Sequence, residues 1–380
     1  MNFTFTNEQQ LLADTVQRFV RETYSFEARR EILRSKEGWS RELWDGIAGL
    51  GLTALNVPEE HGGLGGGPIE TMLVMNALGT GLVLEPFLSA AVLCPTLLSK
   101  LGDAQLAAEL LPSIASGERI VVMAHQESAS RGLLDSVSTR AEKSGDGYIL
   151  NGRKSVIAHG GIADEFLLTA RTSGKPNDAA GVRVIRLPND TPGLTVRSYR
   201  TFDGQSAADL ELERVQVSAS SFVGSESDVL DAIEATRHVG LSALCAEAVG
   251  IIKAVNATTL EYTKNRKQFG QPISRFQALQ HRMADMFIHA EQATSMSYLA
   301  AVKCQESNVV ARRRALSAAK VIIGQAARFV GQQAVQLHGG MGMTDEMLVS
   351  HYFKRLTAID LTFGDTDYHL QEFISASSGS

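Results

Sequence analysis

Thr6 followed three residues later by Gln9 has the form of a helix capping box, and Leu12, Val16 and Phe19 then recur at i, i+4 and i+7. The chain is therefore expected to begin as an amphipathic helix. A second helical pattern runs from Arg41 to about Gly51, after which NVPEEHGGLGGG (56–67) is so rich in glycine and turn residues that it reads as a loop. It does not fit the dinucleotide fingerprint G-x-G-x-x-G, because the sixth position from Gly63 is Pro68 and no β-branched strand precedes it. Helical spacing resumes from Ile69 to Leu111, with interruptions expected near Pro86 and Pro95, so the first 115 or so residues read as all-α.

From Ile120 the period changes. Short β-branched runs (IVVM, STRA, YILNG, FLLTAR, VRVIRL, LTVRS and DLELERVQV) follow one another with Gly, Asp and Pro between them, the pattern of a sandwich or small barrel. Beyond Asp228 the helical period returns in long alanine-rich stretches, Leu241 to Thr263, Phe276 to Val302 and Arg312 to Leu337, broken at Gly270-Gln271-Pro272 and at Gln305 to Asn308. The expected fold class is α+β and multidomain: an N-terminal α-helical domain over 1–118, a central β-barrel or sandwich over 119–225, and a C-terminal four-helix bundle over 226–380.

Composition narrows the function classes. The 380 residues are 44% hydrophobic and 21% charged, which fits a folded globular chain and excludes a disordered or fibrous one. With 36 Lys and Arg against 42 Asp and Glu, the net charge of −6 leaves no basic footprint for nucleic acid. Cys94, Cys245 and Cys304 lack metal-ligand or paired spacing, so neither a metal site nor a disulfide framework is expected. The opening MNFTFTNEQQ lacks the basic and apolar regions of a signal peptide, and no apolar run is expected to reach the roughly 18 residues of a membrane span. A cytoplasmic protein without membrane partners is expected.

Two segments carry chemistry. Arg266-Lys267-Gln268-Phe269-Gly270 closes a long helix with a guanidinium able to hold phosphate bidentately, an amide and an aromatic face, a trio that suits an ADP-like group. On these residues alone it could equally be a solvated basic helix end. Gln336-Leu337-His338-Gly339-Gly340-Met341-Gly342 ends another helix with glycines that let backbone N–H groups approach a ligand, or simply cap the helix.

Taken with Phe276-Gln277-Ala278-Leu279-Gln280-His281, the PEEHGGLGGG loop, LPSIASGER (111–119) and YILNGRK (148–154), these segments make the whole chain resemble the acyl-CoA dehydrogenase family. The resemblance implies FAD as cofactor and removal of hydrogens from Cα and Cβ of an acyl-CoA thioester. It places Arg266, Gln268, Phe269, Gln336, His338, Gly339, Gly340 and Thr366 among the FAD-binding residues, the ADP half being gripped by a neighbouring subunit's R-x-x-F-G and Q-x-x-G-G.

Other family features have changed. The platform W-I-T-N-G reads Val156-Ile157-Ala158-His159-Gly160, and M-T-E-x-x-x-G-S-D reads Met123-Ala124-His125-Gln126-Glu127 followed by Ser128 to Gly132. The base of Y-E-G-T falls on Gly364 in Phe363-Gly364-Asp365-Thr366, and the alternative base position, 26 residues before Arg266, is Gly240. Asp365 is the candidate catalytic base that remains, against a reading as a capping or surface carboxylate in a GDT turn; Glu247 is expected to be a buried interface carboxylate with a partner. His125 and His159 replace family polar residues and could meet an altered ligand. His281 is expected at a helix interface.

Three functions follow from this resemblance, besides a flavin oxidase of the same fold. One is a subunit of a heteromeric dehydrogenase that donates its ADP-binding half to a second dehydrogenase-like chain. Another is a self-sufficient homo-oligomer with Asp365 as base, and the third is a non-catalytic CoA- or FAD-binding scaffold. An electron acceptor such as an electron-transfer flavoprotein is implied for the first two.

Overall fold

The computed structural model describes residues 4–130, 132–225 and 227–378. The chain divides into two compact units. One comprises the chain up to Glu31, Pro68–Val83 and Leu241 onward; the other comprises Ile32–Gly67 and Leu84–Gly240.

In sequence order the helices are α1 (Asn7–Thr23), α2 (Phe26–Arg34), α3 (Arg41–Gly49), α4 (Pro68–Gly81), α5 (Cys94–Leu101), α6 (Ala104–Ala115), α7 (Val229–Asn265), α8 (Gln277–Lys303), α9 (Val309–His338), α10 (Leu348–Leu361) and α11 (Thr366–Ser378). The capping box forms as expected: Thr6 Oγ1 accepts from the Gln9 N–H, and Gln9 Oε1 accepts from the Thr6 N–H. In the first unit α9 packs against α8, α10 and α11, and α1 packs against α4. Helices α4 and α7 meet backbone to backbone, because a Cβ on Gly250 would lie 2.0 Å from the Asn76 carbonyl oxygen. Only glycine permits that approach.

The second unit contains one eight-stranded sheet. Its strands are β1 (Val121–Ala124), β2 (Arg140–Ser144), β3 (Gly147–Ala158), β4 (Glu165–Arg171), β5 (Val182–Pro188), β6 (Leu194–Arg200), β7 (Ser206–Ser218) and β8 (Phe222–Val223). The order is β6-β7-β3-β2-β4-β5-β8, with β1 pairing in parallel against β4. Leu97 and Leu98 of α5 and Leu110, Leu111 and Ile114 of α6 share one core with Val121, Leu167, Val182, Val184 and Ile233. Helix, sheet and helical bundle succeed one another along the chain as the periodicity predicts.

Two local expectations fail. Pro95 does not break a helix: a π-helical turn over Phe87–Leu93 runs directly into α5, whose first turn contains Pro95, where a missing N–H costs little. The expectation about apolar length also fails, since α7 is long and apolar enough to cross a membrane, but 89% of its apolar stretch is buried inside the protein. Its middle turns, Leu241 to Ile252, are buried throughout. The three cysteines are free and buried.

Candidate functional site

The end of α7 is built to display side chains. Lys267–Gln268 (β9) and Gln271–Pro272 (β10) pair as a minimal hairpin, and both central residues have positive φ, Phe269 at 54° and Gly270 at 80°. Asn-Gly is the usual occupant of such a turn, and a bulky aromatic in the left-handed region is uncommon and strained. The hairpin nevertheless holds the Phe269 ring 90% exposed. Arg266, Gln268 and Gln336 are exposed too, and their side chains have no hydrogen-bonding partner among the described residues.

Beside α9's end, His338 is buried and stacks on Tyr262 with ring centroids 4.2 Å apart. Its Nδ1–H donates to the Ala334 carbonyl at 2.8 Å, while Nε2 is buried without a partner. Burial holds its pKa below the usual histidine range. Nothing lies within 4 Å of where a Cβ would stand on Gly270, Gly339 or Gly340. An open glycine backbone, an orphaned ring nitrogen, a free guanidinium and a bare aromatic face are a donor and stacking set that fits the ADP half of FAD.

The turn between α10 and α11 is organised by a side chain that the sequence reading missed. Lys320, buried in α9, donates to the carbonyls of Asp360 at 2.8 Å, Thr362 at 3.1 Å and Gly364 at 2.7 Å. Desolvation lowers its pKa. A lone lysine in the apolar run SAAKVIIG was the available signal, since a buried ammonium must find acceptors. Gly364 has φ +102°, and a Cβ there would lie 2.4 Å from the Tyr368 ring. This backbone is shaped for glycine.

Asp365 caps α11, its Oδ1 accepting from the Tyr368 N–H at 2.8 Å. Thr366 is buried, and its hydroxyl donates to Asp360 Oδ1 at 2.8 Å, so that hydroxyl is engaged within the chain. Glu247 has the partner expected of it: Arg355 donates Nε to Oε1 at 2.6 Å and Nη2 to Oε2 at 2.8 Å. His281 is exposed on α8.

The sheet unit holds the altered platform. Between Lys154 and Ile157 the β3–β7 register shifts, and Val156 sits at φ 54°, half exposed. His159 is buried, and both ring nitrogens are occupied, by Ser89 Oγ at 2.9 Å and the Leu84 carbonyl at 3.1 Å. In the neighbouring segment Glu127 accepts from the Ser138 N–H, the Thr139 N–H and hydroxyl, and Lys154 Nζ at 2.7 Å. Those attractions outweigh its burial and hold its carboxyl below the usual range. Lys154 is fully buried, and desolvation brings its pKa down to about 8. Arg131, in the same segment, lies outside the described residues.

Profiles of known families match nearly the full length: acyl-CoA dehydrogenase N-terminal domain at residues 6–118, middle domain at 123–215 and C-terminal domain at 229–376. The chain belongs to the acyl-CoA dehydrogenase family. Members are oxidoreductases that act on CH–CH bonds and use FAD. The chain is 30% identical over 376 residues to the probable acyl-CoA dehydrogenase YngJ of Bacillus subtilis (strain 168), covering 97% of each. Among solved structures it is similar to a chain of the ChsE4–ChsE5 complex from Mycobacterium tuberculosis, with TM-score 0.88, 26% identity and all of both chains covered. It is also similar to the FAD complex of PigA, with TM-score 0.90, 26% identity and coverage of 100% and 99%.

One test of the FAD assignment concerns Arg266. Its replacement by alanine is expected to weaken FAD retention roughly tenfold or more, because a charge-assisted contact to phosphate is worth about 1.5–3 kcal/mol. Flavin absorbance retained through gel filtration by the chain together with the partner that co-purifies with it measures this, and unchanged retention in that complex would count against the assignment.

Proposed function

We propose that this chain is one subunit of a heteromeric, FAD-dependent acyl-CoA dehydrogenase, and that it supplies the ADP-binding half of the flavin site to a second dehydrogenase-like chain. The observation that carries this is the contrast between two regions. Arg266, Gln268 and Gln336 are displayed without hydrogen-bonding partners among the described residues and the Phe269 ring is 90% exposed, with the Phe276 ring edge-on to it at 6.1 Å, while Gly364 and Gly240 fall at the positions where the family resemblance expects a base and the turn at Gly364 has no room for a side chain. The similarity to a chain of a two-component complex supports the same reading.

In this proposal Arg266 and Gln268 hold the pyrophosphate, Phe269 stacks on the adenine, and Gln336 with the Gly339 and Gly340 N–H groups contacts the nucleotide. When bound, FAD supplies the acceptor for the hydride from Cβ. The α-proton goes to a carboxylate of the second subunit. The rival assigns that proton to Asp365, whose Oδ1 is held by the Tyr368 N–H. The proposed setting is cytoplasmic, with an electron-transfer flavoprotein as acceptor.

The test is the flavin content of the chain purified alone, against the chain co-expressed with an adjacent dehydrogenase-like gene product. Stoichiometric FAD only in the co-purified complex is the expected result. A lone chain that carries one FAD per subunit and turns over acyl-CoA would contradict it.

A further inference from the structure

His351 lies in the first turn of α10, and both of its ring nitrogens are engaged. Arg29 of α2 donates Nη1 to His351 Nδ1 at 3.0 Å and Nε to the Leu82 carbonyl at 3.0 Å. A guanidinium cannot accept, so Nδ1 carries no proton. The ring proton is therefore on Nε2, which donates to the Asp345 carbonyl at 3.0 Å. One neutral tautomer satisfies both contacts.

Asp345 closes the segment that carries the open glycines. Gly339–Met343 forms a 3₁₀ turn after α9, and Gly342 packs that turn onto the helix, since a Cβ there would lie 2.8 Å from the Val335 carbonyl oxygen. Thr344 donates both its N–H and its hydroxyl to the Met341 carbonyl, at 3.1 and 2.9 Å. From α10, His351 then holds the Asp345 carbonyl and Lys354 holds the Asp345 carboxylate. The glycine backbone is thus fastened to α9 on one side and to α10 on the other.

A second ring proton would go to Nδ1, where it would face the Arg29 donor. Both side chains are buried, so water cannot separate them in place. Burial first holds the His351 pKa below the usual histidine range; the Arg29 and Lys354 charges add to this, and the Asp345 carbonyl and carboxylate oppose it. Arg30 acts on Asp345 from α2, and Tyr352, next to His351, donates its hydroxyl to the Thr80 carbonyl and is kept neutral by burial, its pKa pushed up to about 12. The folded state therefore favours the neutral ring. That contribution is fully present above about pH 6.5 and is lost as pH falls through the lowered folded-state value.

We infer that His351 is a positioning residue for the nucleotide-binding turn: through the Asp345 carbonyl it fixes the Gly339–Gly340 backbone, and its protonation releases that turn and weakens FAD binding in acid. The nucleotide rests on the reading of this chain as the donor of the ADP-binding half; the anchor and its release in acid do not.

The experiment uses the chain with its co-purified partner. FAD dissociation constants are measured from about pH 5 to about pH 8.5 for wild type, His351→Gln and His351→Leu. Hydrogen exchange of peptides spanning 339–347, corrected for the intrinsic effect of pH, follows the turn itself. Glutamine can accept from Arg29 and donate to Asp345 but does not titrate. His338 is common to all three proteins, so the difference between wild type and His351→Gln isolates His351. Wild-type affinity is expected to be level above about pH 7 and to fall roughly five- to tenfold once the ring is protonated, with faster exchange in 339–347. His351→Gln is expected to match wild type at about pH 8 and to lack this acid response, and His351→Leu to bind FAD roughly five- to tenfold more weakly even there. The same acid response of affinity and exchange in wild type and His351→Gln would overturn the inference, and so would a folded His351→Leu with wild-type affinity and exchange. A wild-type complex that binds no FAD would overturn the nucleotide reading, while exchange in 339–347 still judges the anchor.

Discussion

Arg355→Ala is expected to lose about 3–5 kcal/mol of stability, the cost of leaving one member of a buried ion pair unpaired. Glu247 and Arg355 are 8% and 15% exposed at their side chains and share two hydrogen bonds of 2.6 and 2.8 Å. Removing the guanidinium strands a carboxylate among the buried middle turns of α7. The double variant Glu247→Leu/Arg355→Met removes both charges and is expected to recover most of the loss, because apolar groups of similar size replace a buried pair at little cost. Urea unfolding of the three proteins measures this. An Arg355→Ala midpoint equal to wild type would show that the pair is not structural.

Gly364→Glu, which restores the family's carboxylate in sequence, is expected to give a less stable chain and no turnover. At φ +102° an L-residue is strained by about 1–3 kcal/mol. The new Cβ would also meet the Tyr368 ring at 2.4 Å, in a turn whose carbonyls Lys320 fixes. The lone variant is expected to melt below wild type and to leave acyl-CoA untouched. A stable Gly364→Glu chain that oxidises acyl-CoA by itself would contradict the description of this turn.

The long helices α7, α8 and α9 and the first seven strands were legible because their periods of 3.6 and 2 are local properties of the chain. Pro95 misled because its effect depends on its place in a helix, and the first turn tolerates it. The apolarity of α7 was diluted in sequence by scattered Glu, Arg and His, several of them buried, such as Glu234, His238 and Glu247. At the site, Arg266, Phe269 and Gln336 were legible as motifs, and the capping role of Asp365 could be read from its GDT turn. Nothing local announced the support under His125, whose Nδ1 meets Thr169 Oγ1 at 3.0 Å. It is assembled from Glu127 after β1, Lys154 of β3 and Thr169 of β4, which meet only in the folded sheet. Lys320 likewise reaches carbonyls 40 to 44 residues away.

In the proposed heteromer the base for this site comes from another chain. Ferrocenium reduction with an acyl-CoA series tests it most directly, measured for the chain alone, for the co-purified complex and for Asp365→Asn in each. No turnover from the chain alone and a complex indifferent to Asp365→Asn are the expected results, because in that heteromer a carboxylate of the second subunit would take the α-proton. General-base catalysis is worth roughly 10²- to 10⁴-fold, so turnover by the lone chain that collapses by that factor in Asp365→Asn would contradict it.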